Sequence, residues 1–370
     1  MSARSKPPFR ADHVGSLLRP KEILEGRDKV AKGTMTKAEL RKIEDKHIKD
    51  AVAFQEGVGL RAVTDGEYRR YMWHLDFLEQ IEGVELREGT TTMKFQGVEF
   101  RPPTPHVVKK VRHPKSIMGP DFAYLKSVAK VTPKVCYPSP SLLHFRGGRG
   151  AISKEAYPDL EPFWADLAKV YNDEMMSLAK LSCRYIQIDE TDFAYLCDPK
   201  FRDMAKKLGE DPDKLPHTYA KLINASIKGR PADMAVCIHI CRGNFAGTWL
   251  AQGGYEPVAD ALFNEIDVDG YFLEYDDARS GGFEPLRFVP KGKKVVVLGL
   301  ITTKRPLLES KDELKARIKD ASKYVPLEQL ALSPQCGFAS STHGNPLTPD
   351  DQKRKLELVV SVAREVWGGV

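Results

Sequence analysis

Two spacings of apolar residues take turns along the chain. Short, nearly continuous β-branched or apolar runs read as strands, and stretches with an apolar residue every third or fourth position read as helices. The strand runs are Arg10–Val14 (a weak first one), Leu60–Thr64, Lys134–Tyr137, Tyr185–Ile188, Ala235–Ile240, Gly270–Glu274, Val295–Ile301 and Leu330–Ser333. Between them, Lys37 to Glu56 places Leu40, Ile43, His47, Ile48, Ala51 and Val52 on one helical stripe. Thr36 with Glu39 three residues on forms a capping box there, and Gly57 and Gly59 mark its end. Trp164–Leu181, Leu215–Ile227, Val258–Glu265 and Ser310–Ser322 are further helices, and a closing one opens at Thr348-Pro349 and stops at Gly368. Eight strands alternating with helices predict an α/β fold, a (β/α)8 TIM barrel, as one catalytic domain over 1–370. A doubly wound open sheet is the competing arrangement. Only 84–133 breaks the alternation, with Thr- and Val-rich pieces around Gly89 and Gly97 followed by Pro102-Pro103. It reads as an inserted hairpin after strand two, a lid or an oligomer contact.

Composition narrows the class. With 42% hydrophobic residues in 370, the chain has ample apolar content for a packed core. The net charge of +6 is spread along the sequence apart from Lys109-Lys110-Val111-Arg112, which gives no footprint for nucleic acid and suits a basic mouth for a small anion. No apolar run reaches the ~18 residues of a membrane span. Met1 to Arg10 lacks the apolar core of a signal peptide, so the expected location is cytoplasmic. Six dispersed cysteines, in a reducing compartment, point to buried thiols or metal ligands rather than a disulfide framework.

The chemistry-bearing residues gather just past the strand ends: His13 to Ser16, Asp65 to Glu67, Asp189-Glu190, His239 and Cys241, Glu274 with Asp276 and Asp277, and Cys336-Gly337. In a barrel these ends share one face. His239 and Cys241 alternate onto the same side of their strand, and imidazole with thiolate suits Zn²⁺; Glu274 and Cys336 could complete four ligands. A small buried cysteine beside a hydrogen-bonded core histidine is the plainer reading of the same pair. Cys237 shares their parity and is the rival ligand.

Arg10-Ala-Asp-His-Val-Gly-Ser16, Thr64-Asp-Gly-Glu67, Ile186-Gln-Ile-Asp-Glu190, His239-Ile-Cys241, Phe272-Leu-Glu274 and Ser333-Pro-Gln-Cys-Gly337, in this order, resemble the catalytic C-terminal barrel of the cobalamin-independent methionine synthase family. The resemblance implies a zinc site of His239, Cys241, Glu274 and Cys336, homocysteine held by Ser16, Glu67 and Asp189, and the barrel fold. It breaks in two places. The family's acid His after strand seven falls where this chain has Gly299-Leu-Ile-Thr-Thr303, and its folate-stacking Trp near strand three falls in Lys134-Val-Cys-Tyr-Pro-Ser-Pro140. The zinc–thiol half therefore carries over better than the donor half. Epoxyalkane:coenzyme M transferases are similar in using His-x-Cys with a later Cys, and there Arg242 and Asn244 could bind a sulfonate or carboxylate.

His13, at the end of strand one, is a candidate acid in place of the missing His, with Asp189 as a second catalytic group. Arg69 or Arg70 could pair with an anionic donor, Trp73, Trp249 or Tyr255 could stack on a planar one, and His343 and Asn345 could line the mouth. The expected activity is zinc-dependent alkyl transfer to a thiol: methyl transfer to homocysteine giving methionine, with the donor open. An epoxide:thiol transferase is the enzymatic alternative, and a non-catalytic barrel binding a tetrapyrrole or corrinoid is the other class. The expected partners are a small thiol, an alkyl donor and a second copy of the chain.

Overall fold

Six of the runs read as strands align side by side in one parallel sheet. The computed structural model describes residues 3–89, 93–95, 98–342 and 344–370. The sheet order follows the chain: Val135–Pro138, Tyr185–Glu190, Ala235–Ile240, Gly270–Glu274, Val295–Ile301, Leu330–Pro334. The first two barrel positions extend it from either edge. Ala11 bridges Leu332 in parallel, and Ala62–Val63 pairs with Thr132–Pro133, just ahead of the Val135 strand. The result is the expected (β/α)8 barrel. Its first position is one bridge rather than a strand, because the segment's polar groups turn to other tasks.

Alternation along the strands separates two cores. Val236, Ile238, Ile240, Val296 and Leu298 face outward onto the helices. Tyr185, Ala235, Cys237, Phe272, Val295, Val297 and Ala331 face inward and fill the lower barrel with Phe9 and Val14. A buried pair lies among them: Lys134 Nζ is 3.2 Å from Asp12 Oδ1 and 4.2 Å from the Phe272 ring centre, and Tyr185 donates to Asp12 Oδ2 at 2.7 Å.

Around the ring, the capping box of Thr36 and Glu39 starts a helix over Lys37–Val58, and Thr348 caps Pro349–Trp367 with Gly368 beyond its end. Leu160–Lys180, Leu215–Ser226 and Lys311–Ala321 are the other expected helices. Val258–Glu265 instead splits into a 3₁₀ turn, Glu256–Val258, and one π-helical turn, Ala261–Glu265. Among the described residues, three helices of nine or more residues went unread, Lys21–Ala31, Gly119–Val128 and Pro199–Lys207, as did the single turns Leu75–Leu78, Leu142–Phe145 and Asp192–Tyr195. The excursion is an antiparallel hairpin of Glu82–Arg87 with Thr104–Arg112, and Met93–Phe95 pairs with Val98–Phe100. Gly119–Val128, within the same segment, packs against the Lys37–Val58 and Leu160–Lys180 helices of the ring. No helix among the described residues is long and apolar enough to cross a membrane.

Candidate active site

The carboxyl ends of the strands open into a cavity at the mouth of the barrel. Ser16, Glu67, Asp189, His239, Cys241, Asn244 and Cys336 all line it. Strand register brings them together: Asp189 pairs with His239 across one ladder, and His239 with Phe272, two residues before Glu274, across the next.

One donor atom from each of His239, Cys241, Glu274 and Cys336 lies within 4.8 Å of the others. Cys241 Sγ and Cys336 Sγ are 3.6 Å apart. His239 is buried, yet neither ring nitrogen has a hydrogen-bond partner among the described residues. An imidazole withdrawn from water with both nitrogens unmet is costly unless a ligand takes one. The paired thiols are uneven: the Cys241 contact, then His239, pushes Cys336 down, whereas the same contact and burial push Cys241 up. Two sulfurs, an imidazole and a carboxylate make a four-donor metal set. Both oxygens of Glu274 already have donors: Oε1 accepts from Arg242 N at 3.0 Å and Oε2 from Arg279 Nη2 at 2.7 Å. Asp276, 2.9 Å from the same Arg279 nitrogen, and the Asp276–Lys304 pair steady that guanidinium. Cys237 is outside the set. It points inward as its parity requires, but lies a layer lower, in the apolar fill.

Glu67 and Asp189 form the acidic wall. The turn Asp65-Gly66-Glu67 aims Glu67 inward through a left-handed backbone, φ 57°, with Glu67 N bonded to Asp65 Oδ1 at 2.8 Å. For a non-glycine residue that conformation is strained, by about 1–3 kcal/mol. Glu67 pairs with Arg70, and Asp189 Oδ1 accepts from Gln187 Nε2 at 2.7 Å. Burial pushes both carboxyls up, Glu67 to about 7, with Arg70 and its charge opposing. Ser16 Oγ accepts from Ala339 N at 3.2 Å. The approach there is close: a Cβ on Gly337 would meet Ser16 Oγ at 1.9 Å, and one on Gly15 would meet Glu67 Oε1 at 2.3 Å.

Two expected groups lie elsewhere. His13 does not line the cavity. It is buried beside Ala62 and Gln55, and burial and then Lys134 push it down to about 4, so at neutral pH it carries no proton to give as an acid. Arg242 is also outside, its guanidinium over the Tyr255 ring at 4.5 Å, and only its backbone N–H reaches Glu274. Asn244 lines the cavity and ties Gly337 O and Thr303 Oγ1 at 3.1 and 3.4 Å. Asn345 braces the same loops from Thr303 O, and His343 lies outside the described residues. Arg69 is tied to Asp45 and Asp121, whereas Arg70 and Trp73 reach the cavity. His74 and Arg146 line it too and were missed, though the run Arg70-Tyr-Met-Trp-His74 crowds aromatic and basic residues directly after Glu67.

A parallel barrel with a sulfur-rich donor set and an acidic wall at its mouth has the layout of a thiol-handling barrel enzyme. The chain belongs to the cobalamin-independent synthase catalytic-domain family, whose model matches residues 9–365, and is thereby a methionine-synthase-like methyltransferase. It is 44% identical to the uncharacterized protein YxjG of Bacillus subtilis, over 98% of this chain and 96% of that one. A Listeria monocytogenes structure provisionally assigned as a vitamin-B12-independent methionine synthase superposes with a TM-score of 0.81 at 40% identity, covering 99% of this chain and 100% of that one. A B12-independent methionine synthase from Shewanella sp. W3-18-1, in complex with selenomethionine, shares the fold at a TM-score of 0.72 and 21% identity, over 96% and 97% of the two chains. The chain is 23% identical to a 5-methyltetrahydropteroyltriglutamate–homocysteine methyltransferase of Candida albicans, over 97% of itself but only 42% of that protein.

Proposed function

We propose that the protein is a zinc-dependent methyltransferase that methylates homocysteine to methionine. The observation that carries this reading is the buried His239 with two unmet nitrogens at the centre of a four-donor set, on one cavity with Ser16, Glu67 and Asp189. His239, Cys241, Cys336 and Glu274 would hold Zn²⁺, which when bound supplies a homocysteine sulfur kept as thiolate at neutral pH.

The chain's own residues do the rest. Glu67 and Asp189 receive the substrate ammonium, and the Ser16 hydroxyl, whose oxygen already accepts from Ala339 N, donates its hydrogen to the carboxylate. This fixes both ends of the amino acid and directs its thiol toward Cys241 and Cys336. Glu274 is the exchangeable ligand. Its two oxygens already have donors in Arg242 N and Arg279, so leaving the set strands no buried charge. Pro102, from the hairpin, lines the same cavity, which supports the reading of that insertion as a lid. The reading places the enzyme in the cytoplasm, where the cysteines stay reduced.

Of the two substrates, the thiol is the one these residues specify. The Candida relative's name pairs homocysteine with methyltetrahydropteroyltriglutamate. The epoxide:coenzyme M alternative loses Arg242 as a sulfonate anchor, because that side chain lies behind the cavity wall, and keeps only Asn244 of the expected pair. Zinc-edge X-ray absorption with and without homocysteine tests the proposal. One further sulfur on the metal with homocysteine is expected, and a protein that binds no zinc would overturn it, leaving the non-catalytic barrel.

A further inference from the structure

Gly15 to Arg19 crosses between two loops that the site needs in fixed register. One follows the second barrel position and carries Glu67; the other follows the eighth strand and carries Cys336. Thr64 Oγ1 donates to Gly15 O at 2.6 Å and Leu17 N to Gly66 O at 3.1 Å, while Phe338 N donates to Ser16 O at 2.9 Å. Arg19 completes the crossing with one side chain. Its Nη1 donates to Ala339 O at 3.0 Å and Ser341 O at 2.6 Å, and its Nη2 to Glu67 O at 3.1 Å and Arg70 O at 3.4 Å. Each arm of the guanidinium thus takes one loop, in the planar fork that a lysine lacks. Burial and then the Arg70 and Arg27 charges push Arg19 down to about 9, so it keeps its charge at neutral pH. Arg27 differs: its two arms reach Tyr68 O and Arg70 O, both on the first loop.

Arg19 does not line the cavity. Its effect reaches the site through Glu67, whose left-handed backbone at φ 57° is strained for a residue with a side chain, and through Ala339, three residues past Cys336. An amino acid held by its ammonium at Glu67 and by its sulfur at the donor set measures the separation of those two loops. A displacement of about 1 Å in such a site can cost about 100-fold. We propose that Arg19 is a positioning residue that sets the spacing between the ammonium wall and the sulfur donor set, and thereby the length of amino acid that the site selects. The proposal rests on the methyltransferase reading, which makes homocysteine and methionine the matching length.

The test uses zinc-loaded protein and three probes: methionine, S-methylcysteine, which is one methylene shorter, and homomethionine, which is one methylene longer. All three present sulfur without a chelating thiol. Calorimetric titrations are made at a pH above about 7, where Glu67 carries its charge. The unmodified protein should bind methionine at least about tenfold more tightly than either neighbour, and Arg19→Met should bring all three within about threefold of one another. Such a ratio is unmoved by a partly inactive fraction. Arg19→Lys keeps the charge and guards against misfolding, but cannot span both loops, so it should lose most of the preference too. Arg27→Met should weaken the three probes alike, and Arg19→Met should retain its zinc. No preference in the unmodified protein, an unchanged preference in Arg19→Met, a full preference in Arg19→Lys or an equal loss of preference in Arg27→Met would overturn the spacing role. So would a loss of zinc from Arg19→Met, since Arg19 would then serve the metal set itself. An unmodified protein that binds none of the probes would overturn the methyltransferase reading and the spacing role together, whereas a methionine preference that survives in the Arg19 variants overturns the spacing role alone.

Discussion

Asp189→Asn isolates the charge that, on the proposed reading, the site offers to the amino end of homocysteine. Asn has the same shape, and its side-chain oxygen can still accept from Gln187 Nε2, now 2.7 Å from Asp189 Oδ1. The substitution therefore removes one negative charge from the wall and little else. Asp189 is only 6% exposed, so an ammonium against it is largely withdrawn from water. A hydrogen bond to a charged group in such a place contributes about 1.5–3 kcal/mol. At about 1.4 kcal/mol per decade, the homocysteine dissociation constant should rise roughly 10- to 150-fold. Calorimetry on zinc-loaded protein should compare homocysteine with 4-mercaptobutanoate, the same thiol without the amino group. The unmodified protein should prefer homocysteine, and Asp189→Asn should lose that preference while 4-mercaptobutanoate binds as before. An equal loss for both thiols would mean that Asp189 acts through His239 and the metal set. No loss for homocysteine would refute the ammonium assignment.

Three more outcomes follow from the same geometry. Cys336→Ser should weaken zinc at least about 100-fold, more than the 10–100-fold typical of a residue behind the ligands, as metal content after dialysis against a chelator will show. Glu67, raised by burial to about 7, is protonated below that pH and offers its charge above it. The affinity for methionine, which has no thiol to titrate, should therefore rise with pH through about 7, and Glu67→Gln should flatten the profile. Lys134→Met leaves Asp12 buried without its counter-charge and should cost about 3–5 kcal/mol in urea unfolding; a cost under about 1 kcal/mol would mean that the pair contributes little.

The strands that the sequence specified best are those buried on both faces. Ala235–Ile240, Gly270–Glu274 and Val295–Ile301 have the expected limits, because continuous apolar runs between Gly, Asp and Lys have one place to start and stop. The first barrel position was harder to read, since Asp12 turns inward to Lys134 and interrupts the apolar run. The Lys21–Ala31 helix escaped because its sequence is mostly polar and carries Gly26, which admits Leu40: a Cβ there would meet Leu40 Cδ1 at 2.8 Å, a contact no local pattern encodes. In the site, period-two alternation found His239 and Cys241 and also explains the two misplacements. Arg242 follows Cys241 and so turns away from the axis, and His13 sits between inward-facing Asp12 and Val14. Height along the barrel separates Cys237 from the donor set, and parity alone carries no height. Trp73, His74 and Arg146 come from loops, where no period applies.

The packed lower barrel also bears on kinetics. Beneath the donor set the interior is filled by Phe9, Tyr185, Phe272 and the Lys134–Asp12 pair, so the way to the donor set is from the carboxyl ends of the strands. On the methyltransferase reading, a thiol at the donor set would be the deeper occupant, and an alkyl donor seated above it would stand between it and solvent. A thiol arriving second would have to pass a seated donor. Turnover should accordingly be ordered, thiol first, with the spent donor departing before methionine.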